Sequence, residues 1–304
     1  MPPRAGTLRT GRATFQSSLL LGVLPPYGQV DTWQNVNLLI AQIALDRKWA
    51  PNRRFVEGEL HGYDAVMNAK SLSIAAAKLG VHSTCVRLER GSSPKAWRHP
   101  QTGIDTSVEK AVLGAYEADG WRGYAGEGGL LLNLIKAMSF TEVAVRNRST
   151  YVEALYAQNV SFDEDRFEVA QLLACLANAD RKQVLGNFTR MASREPATYR
   201  IDGYDFTQRS SMLDYFPELE AWMFEALLDV AGIPLLHAIA SRFAQNPYEY
   251  RRGWPDITMW RDSELRFVEV KAPGDRIHAS QKQIVEVFAK PLALNFWLVA
   301  AEEI

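Results

Sequence analysis

The sequence predicts an α/β (α+β) chain in which a mainly helical body leads into a compact C-terminal β-β-α-β unit. Segments 164–178, 180–193, 216–230 and 233–246 repeat apolar residues at helical spacing, with short polar breaks between them. After Gly253 the pattern changes to "DITMW" and "LRFVEVK", two runs of strand composition separated by the turn "RDSE". A helix at about 278–290 and a last apolar strand within "ALNFWLVA" complete the unit.

At 304 residues the chain exceeds a typical single domain, so two packed units or one core with a large insertion both fit. Nearly half the residues are apolar, enough for a substantial core, and the net charge is −1. That balance excludes a protein that coats nucleic acid through a global basic excess; any such partner must be met by local patches. Cys85 and Cys175 lie far apart without metal-type spacing, which favours free thiols over a disulfide framework. Arg4, Arg9 and Arg12 precede "SLLLGVL", but this apolar run is short for a signal peptide and is followed by "PPYG". No segment is expected to approach the ~20 apolar residues of a membrane span. A cytoplasmic or nucleoid-associated protein is expected.

Residues 1 to about 30 read as irregular, and "VNLLIAQIALDRKW" (36–49) and "NAKSLSIAAAKLG" (68–80) as helices. "LERGSSPKAWRHPQTGID" (88–105) is polar, holds two prolines and reads as a long loop or linker. It divides a mostly helical accessory region, 1–105, from a second region, 106–304. Thr106 and Glu109 have capping-box spacing at the start of "TSVEKAVLGAYEADGW", with Val108, Val112, Leu113 and Tyr116 on one face and Gly120 at the end. The capping box accounts for Glu109, which is left out of the candidate site. A strongly apolar helix, "LLLNLIKAM" (130–138), follows, and a helical insertion at about 140–250 precedes the 253–304 core.

Alternation along "LRFVEVK" puts Leu265, Phe267, Glu269 and Lys271 on one face and Arg266, Val268 and Val270 on the other. Neither face is purely polar, as a simple half-buried strand would require. Asp256 starts the preceding strand, and the turn could bring it alongside Glu269. Two converging carboxylates with a lysine beside them suit metal-assisted phosphodiester hydrolysis. Hard oxygen ligands favour Mg²⁺ or Mn²⁺, which would acidify an attacking water, while a compact cation offsets developing negative charge. The same residues suit a solvated Glu–Lys pair and a turn Asp, and spacing alone does not choose between them.

The stretch "GWPDITMW…LRFVEVKAPGDRIHASQ" resembles the VRR-NUC form of the PD-(D/E)xK nuclease superfamily. The resemblance covers Gly253, Pro255, Asp256, Glu269, Val270, Lys271, Pro273, Asp275, Arg276 and Gln281. "SVEKAVLGAYEADGWRGYAGEGGLLLNLIKAM" and "LLDVAGIPLLHAIASRFAQNPYEYRRG" are similar to segments of the Fanconi-associated nuclease family, so the similarity runs from roughly 107 to 304. It implies a restriction-endonuclease-like PD-(D/E)xK core, with Glu127, Asp256 and Glu269 as metal ligands and the Val270 carbonyl completing the shell. Lys271 would be the catalytic lysine, and Gln281 would touch metal-bound water or the phosphate. It further implies a Mg²⁺- or Mn²⁺-dependent DNA nuclease acting on flapped or 5′-end-bearing DNA in repair. The roughly hundred residues before the resemblance do not match the long N-terminal regions of that family. The alternatives are a VRR-NUC toxin with an immunity-protein partner, secreted into target cells, and a catalytically silent DNA-binding module.

Glu127 also suits an ordinary helix-start acid, because carboxylates are favoured at helix N-termini. Arg251, Arg252, Arg276 and His278 surround the motif and could hold phosphates, or be solvated surface charges. Trp97, Trp121, Trp254 and Trp260 suit packing better than base stacking. His237, inside an apolar helix, reads as a core histidine. "AGEGG" lacks the Lys-Ser/Thr of a P-loop. Oligomeric state is left open by the sequence.

Overall fold

A computed structural model describes residues 69–141, 169–201, 204–208 and 210–304. The expected helix at 36–49 lies outside the described residues. Helix α1 (Ala69–Leu79) leads to β1 (His82–Leu88) and a short hairpin, β2 (Trp97–Arg98) with β3 (Asp105–Thr106). Helix α2 (Val108–Glu117), strand β4 (Arg122–Ala125) and helix α3 (Gly129–Ser139) follow. Beyond them come α4 (Val169–Ala177), α5 (Arg181–Ala192), the hairpin β5 (Ala197–Ile201) and β6 (Tyr204–Gln208), and the long α6 (Ala221–Phe243). The chain closes with β7 (Ile257–Arg261), β8 (Glu264–Lys271), α7 (Ala279–Ile284), a π-helical turn (Val285–Ala289) and β9 (Phe296–Glu303).

One mixed sheet organises these elements in the order β1-β9-β8-β7-β4. Strands β4, β7 and β8 run antiparallel to their neighbours, whereas β8, β9 and β1 are parallel. The parallel β8–β9 step needs a crossover, and α7 with its π-helical turn supplies it. The sheet is covered on both faces. On one, Ala111, Val112 and Leu113 of α2 meet Ile257, Met259, Val268, Val270 and Val299. On the other, Phe267, Phe296 and Leu298 meet α3, α6 and the crossover through Leu134, Phe243 and Phe288. The alternation expected along β8 therefore holds: Phe267 and Leu265 pack on the face opposite Val268 and Val270.

Several expectations change. The stretch 88–105 is no linker: it contains the β2–β3 hairpin, and Trp97 is buried in the α2-side core. Strand β1 lies before residue 105 yet hydrogen-bonds along β9, from His82↔Trp297 to Leu88↔Glu303, so the sheet crosses the expected boundary. Its mixed composition, HSTCVRL, reflects an edge strand with exposed positions and therefore lacks a clean apolar signal. The expected helical insertion also contains the β5–β6 hairpin, for which alternation around Asp202-Gly203 is the sequence signal. The "RDSE" turn is tighter than its four letters suggest, because Arg261 pairs with Glu264 and only two residues connect the strands.

The cap of α2 is shifted by one residue from the expected capping box. Ser107 is the N-cap, and its side chain accepts a hydrogen bond from Lys110 N at 3.4 Å. The expectation that no segment approaches a membrane span is also corrected, since α6 is long and apolar enough by length and composition. It is interrupted by Gly232 (φ 71°, ψ 155°) with Pro234 just beyond, and Phe224, Leu227, Ile239 and Phe243 are core residues. Its two halves correspond to the separate helices expected at 216–230 and 233–246.

Helix α3 is buried along its whole length, so its C-terminal carbonyls have no access to water and need partners. Asn187 of α5 supplies them: its Nδ2 donates to Ala137 O and Phe140 O at 2.7 Å each. Gln183 Nε2 adds bonds to Met138 O and Phe140 O at 2.9 Å. Replacing Asn187 by Leu leaves buried acceptors unpaired and is expected to cost about 2 kcal/mol or more. Denaturant unfolding of Asn187→Leu beside the unaltered chain measures this.

Candidate active site

The site is assembled where β7 begins and β8 ends. Ile257 pairs with Val268, so β7 stops short of the last residues of β8. Beyond that point the Asp256 side chain takes over, and its Oδ2 accepts a hydrogen bond from Val270 N at 2.8 Å. The amide and carbonyl of one residue in a strand point to the same side, so the Val270 carbonyl opens toward Asp256. Glu269 and Lys271 point to the opposite sheet face from Val270 and are almost completely buried, at 1% and 6% exposure.

Glu269 Oε1 accepts from Lys271 Nζ at 2.7 Å and also from Gln281 Nε2. Gln281 Oε1 in turn accepts from Lys271 Nζ at 3.1 Å and from His278 N at 2.7 Å. Gln281 thus acts here as a clamp on the acid–lysine pair. Its place depends on Gly253 (φ 82°), over which the start of α7 lies closely: a Cβ there would stand 2.7 Å from Gln281 N. Asp275 shapes the approach, with its Oδ2 accepting from Ala272 N at 2.8 Å and its own amide donating to Ala272 O at 3.0 Å.

The segment 126–128 is tied to the same place through its backbone. Gly126 N and Glu127 N donate to Asp256 O at 2.8 and 3.2 Å, and Gly128 N donates to Pro255 O at 3.0 Å. Gly128 (φ 74°) packs so closely that a Cβ would lie 2.6 Å from that of Trp254. Glu127 itself has φ 40°, a left-handed conformation that costs a non-glycine residue energy. Its side chain is exposed. Among the described residues no three His, Cys, Asp or Glu side chains gather as a complete ligand group.

Burial dominates the electrostatics. It pushes the Asp256 carboxyl up from 3.8 to about 6, against the lowering effect of the Val270 amide, and the charge of Glu109 pushes the same way as burial. Glu269 is raised well above its ordinary value, first by burial and then by the Asp256 charge, with Lys271 opposing. Glu269 Oε2 is buried without a hydrogen-bond donor. Two acids within reach of each other, one with a donorless buried oxygen, can share a proton or a cation. The Asp256 and Glu269 carboxylates, with the adjacent Val270 carbonyl, are a hard-oxygen donor set of the kind that suits a divalent cation.

The other candidate residues are placed less tightly. Arg252, Arg276 and His278 are exposed on the two segments that bracket the pair, and Arg251 is half-buried beside Arg252. Arg251 stacks over Tyr248, 3.5 Å from the ring centre, and donates to its carbonyl. Trp97, Trp121, Trp254 and Trp260 are buried, in agreement with the packing reading. His237 faces Ser241 Oγ at 3.4 Å. Cys85 and Cys175 are free thiols.

An antiparallel β4-β7-β8 meander entered from α2, crossed by α7 to a parallel β9, with Asp256, Glu269 and Lys271 at the strand ends, defines a PD-(D/E)xK-like core. Residues 205–293 match the VRR-NUC domain family. Over 58 residues, 18% of the chain, the sequence is 41% identical to the Fanconi-associated nuclease 1 homolog of Caenorhabditis elegans. It is 36% identical to that of Caenorhabditis briggsae over the same length. The aligned stretch covers 7% of each relative, so the matched part is a small fraction of their length. The fold is also similar to part of paFAN1, in a crystal structure bound to 2nt 5′flap DNA with gap. The TM-score is 0.50 at 20% identity, covering 78% of this chain and 42% of that one.

Two outcomes follow from the geometry. In EDTA, the stabilisation due to neutral Asp256 is fully present below 3.8 and is lost as pH rises through about 6, the folded-state value. The melting temperature of the unaltered chain should therefore fall relative to Asp256→Asn over that window; parallel curves would count against the buried-acid assignment. Gly253→Ala should lower stability by about 2 kcal/mol or more, through its left-handed φ and the collision with α7. Thermal unfolding reads that loss directly.

Proposed function

We propose that the chain is a Mg²⁺- or Mn²⁺-dependent DNA nuclease that hydrolyses phosphodiester bonds, with selectivity for flapped or 5′-end-bearing DNA in repair. The observation that carries this reading is Glu269, buried with one oxygen clamped by Lys271 and Gln281 and the other donorless beside Asp256. The VRR-NUC match and the sequence relatives support nuclease chemistry, and the flap DNA bound by paFAN1 supports the substrate class.

Asp256, Glu269 and the Val270 carbonyl would hold the cation, with Glu127 entering from the adjoining turn. When bound, the cation would supply Lewis acidity and lower the pKa of an attacking water. The protein residues have separate tasks. Lys271 has three ammonium hydrogens, two engaged by Glu269 and Gln281, which leaves one for a phosphate oxygen. Gln281 fixes the rotamers of both partners, so the lysine keeps its direction when substrate arrives. As the water oxygen attacks phosphorus it gives up a proton to solvent, the ester P–O bond breaks, and the leaving oxygen takes up a proton from solvent. Arg251, Arg252, Arg276 and His278 offer positive or hydrogen-bonding groups to the DNA backbone on either side.

The test is cleavage of 5′-flap, splayed and linear duplex DNA with Mg²⁺, Mn²⁺ or EDTA. Activity is expected with either cation, is abolished by EDTA, and falls by on the order of 100-fold or more in Asp256→Asn and Lys271→Met. No cleavage of any substrate, or undiminished activity in both variants, would sink the enzyme reading. Equal cutting of flap and plain duplex would remove the proposed selectivity and leave the chemistry.

A further inference from the structure

An open cavity of about 460 Å³ lies at the end of the sheet away from the acid pair. Its size falls within the roughly 300–1,000 Å³ typical of small-ligand sites. One wall is the α1–β1 turn with Gly80 and His82, and the other is the segment leading from the π-helical turn into β9, with Lys290 and Asn295. Phe296, at its floor, pairs with Phe267, and Ala300 further along β9 pairs with Lys271. The cavity is therefore ~13 Å along the strands from the lysine of the candidate active site.

Three side chains from adjacent strands stack toward this cavity. Trp297 of β9 is in register with His82 of β1, and their rings stack with centres 4.8 Å apart. On the β8 side, the Arg266 guanidinium carbon lies 4.3 Å from the Trp297 ring centre. Asn295 fixes the indole, its Oδ1 accepting from Trp297 Nε1 at 2.7 Å. Asn295 Nδ2 donates to Glu264 Oε1, which also accepts from Arg266. Since β1 and β8 flank β9, both sides of the indole are occupied, and the stack ends on His82. That imidazole is exposed on an edge strand and lines the cavity. Lys290 is exposed and held only by Glu286, at 2.6 Å, in a surface pair of the kind that contributes little.

We propose that this cavity takes one unpaired nucleotide, with its base on His82 and its phosphate met by Lys290. A base would extend the stack that runs from Arg266 through Trp297 to His82, because every base offers a π-face. Its phosphate would draw the Lys290 ammonium away from Glu286. Packing alone would require neither an exposed ring at the end of the stack nor a cavity with a cation beside it. The inference rests on reading DNA as the substrate, and it adds a place that holds an unpaired strand away from the cut. The same chemistry would admit a nucleotide within a strand or a free mononucleotide.

The probe is a fluorescently labelled single-stranded oligo(dT), bound to the full chain in EDTA so that no cleavage occurs and read by anisotropy. His82→Ala should raise its dissociation constant by on the order of tenfold. His82→Phe, which restores a ring, should recover most of the affinity. Lys290→Gln should weaken binding and flatten the log–log salt dependence by ~0.7, the loss of one phosphate contact. Displacement of the oligonucleotide by excess dTMP would assign the cavity to free nucleotides as well; no displacement would assign it to a nucleotide within a strand. Melting temperatures are measured on the same variants. If His82→Ala and Lys290→Gln bind like the unaltered chain, or if affinity follows melting temperature rather than the ring, the stack is packing and the inference is overturned. Cleavage by the unaltered chain with Mn²⁺ separates the two readings: cutting without any His82 effect on binding removes this subsite alone, whereas neither binding nor cutting removes both.

Discussion

The burial of Glu269 is the constraint on which the rest of this structure depends. A carboxylate at 1% exposure is costly unless it is compensated, and here half of it is compensated by Lys271 and Gln281. The other half faces the site without a donor. Much of the surrounding architecture serves to hold that half-satisfied group in place. The α2 face of β8 is filled with Val268 and Val270, so the strand cannot roll to release Glu269 to water. Helix α7 is pressed over Gly253, which keeps Gln281 in reach of both partners.

Two segments far apart in sequence meet through their backbones at this point. The Gly126–Gly128 turn donates three amides to the carbonyls of Pro255 and Asp256, and Gly128 leaves room for Trp254. The glycines flanking Glu127 are therefore explained by close packing against the Trp254-Pro255-Asp256 segment. The helical insertion between the two segments is anchored to the fully buried α3 by Asn187 and Gln183. It completes the core on one face of the sheet without interrupting the strand order.

The β7–β8–α7–β9 unit was legible because its signals are local: two short strand runs, a turn between them, then a helix and an apolar strand. The pairing of Asp256 with Glu269 followed from alternation and a hairpin, both properties of neighbouring residues. Strand β1 was not legible, because an edge strand with exposed Arg87 and Cys85 carries little periodic signal. The hairpin β2–β3 looked like a linker because its polar residues are exposed and its one anchor, Trp97, acquires meaning only when the α2-side core forms. The capping box that Thr106 and Glu109 suggest by spacing is not the one the chain makes, because Ser107 is the N-cap. Ser and Thr both cap well, and adjacent Thr106 and Ser107 leave the register undecided until the helix packs.

By itself, the sequence determined the face that Glu269 and Lys271 share, the nearness of Asp256 across a short turn, and the kind of elements that carry all three. These depend on spacing along a strand, which a strand's period of two makes readable. The tertiary structure decided how buried that pair is, which oxygen of Glu269 is left without a donor, and that Gln281 clamps the pair. It also decided that the sheet recruits β1. Those properties arise between segments tens to hundreds of residues apart, where desolvation and close packing set the energies, and no local spacing records them.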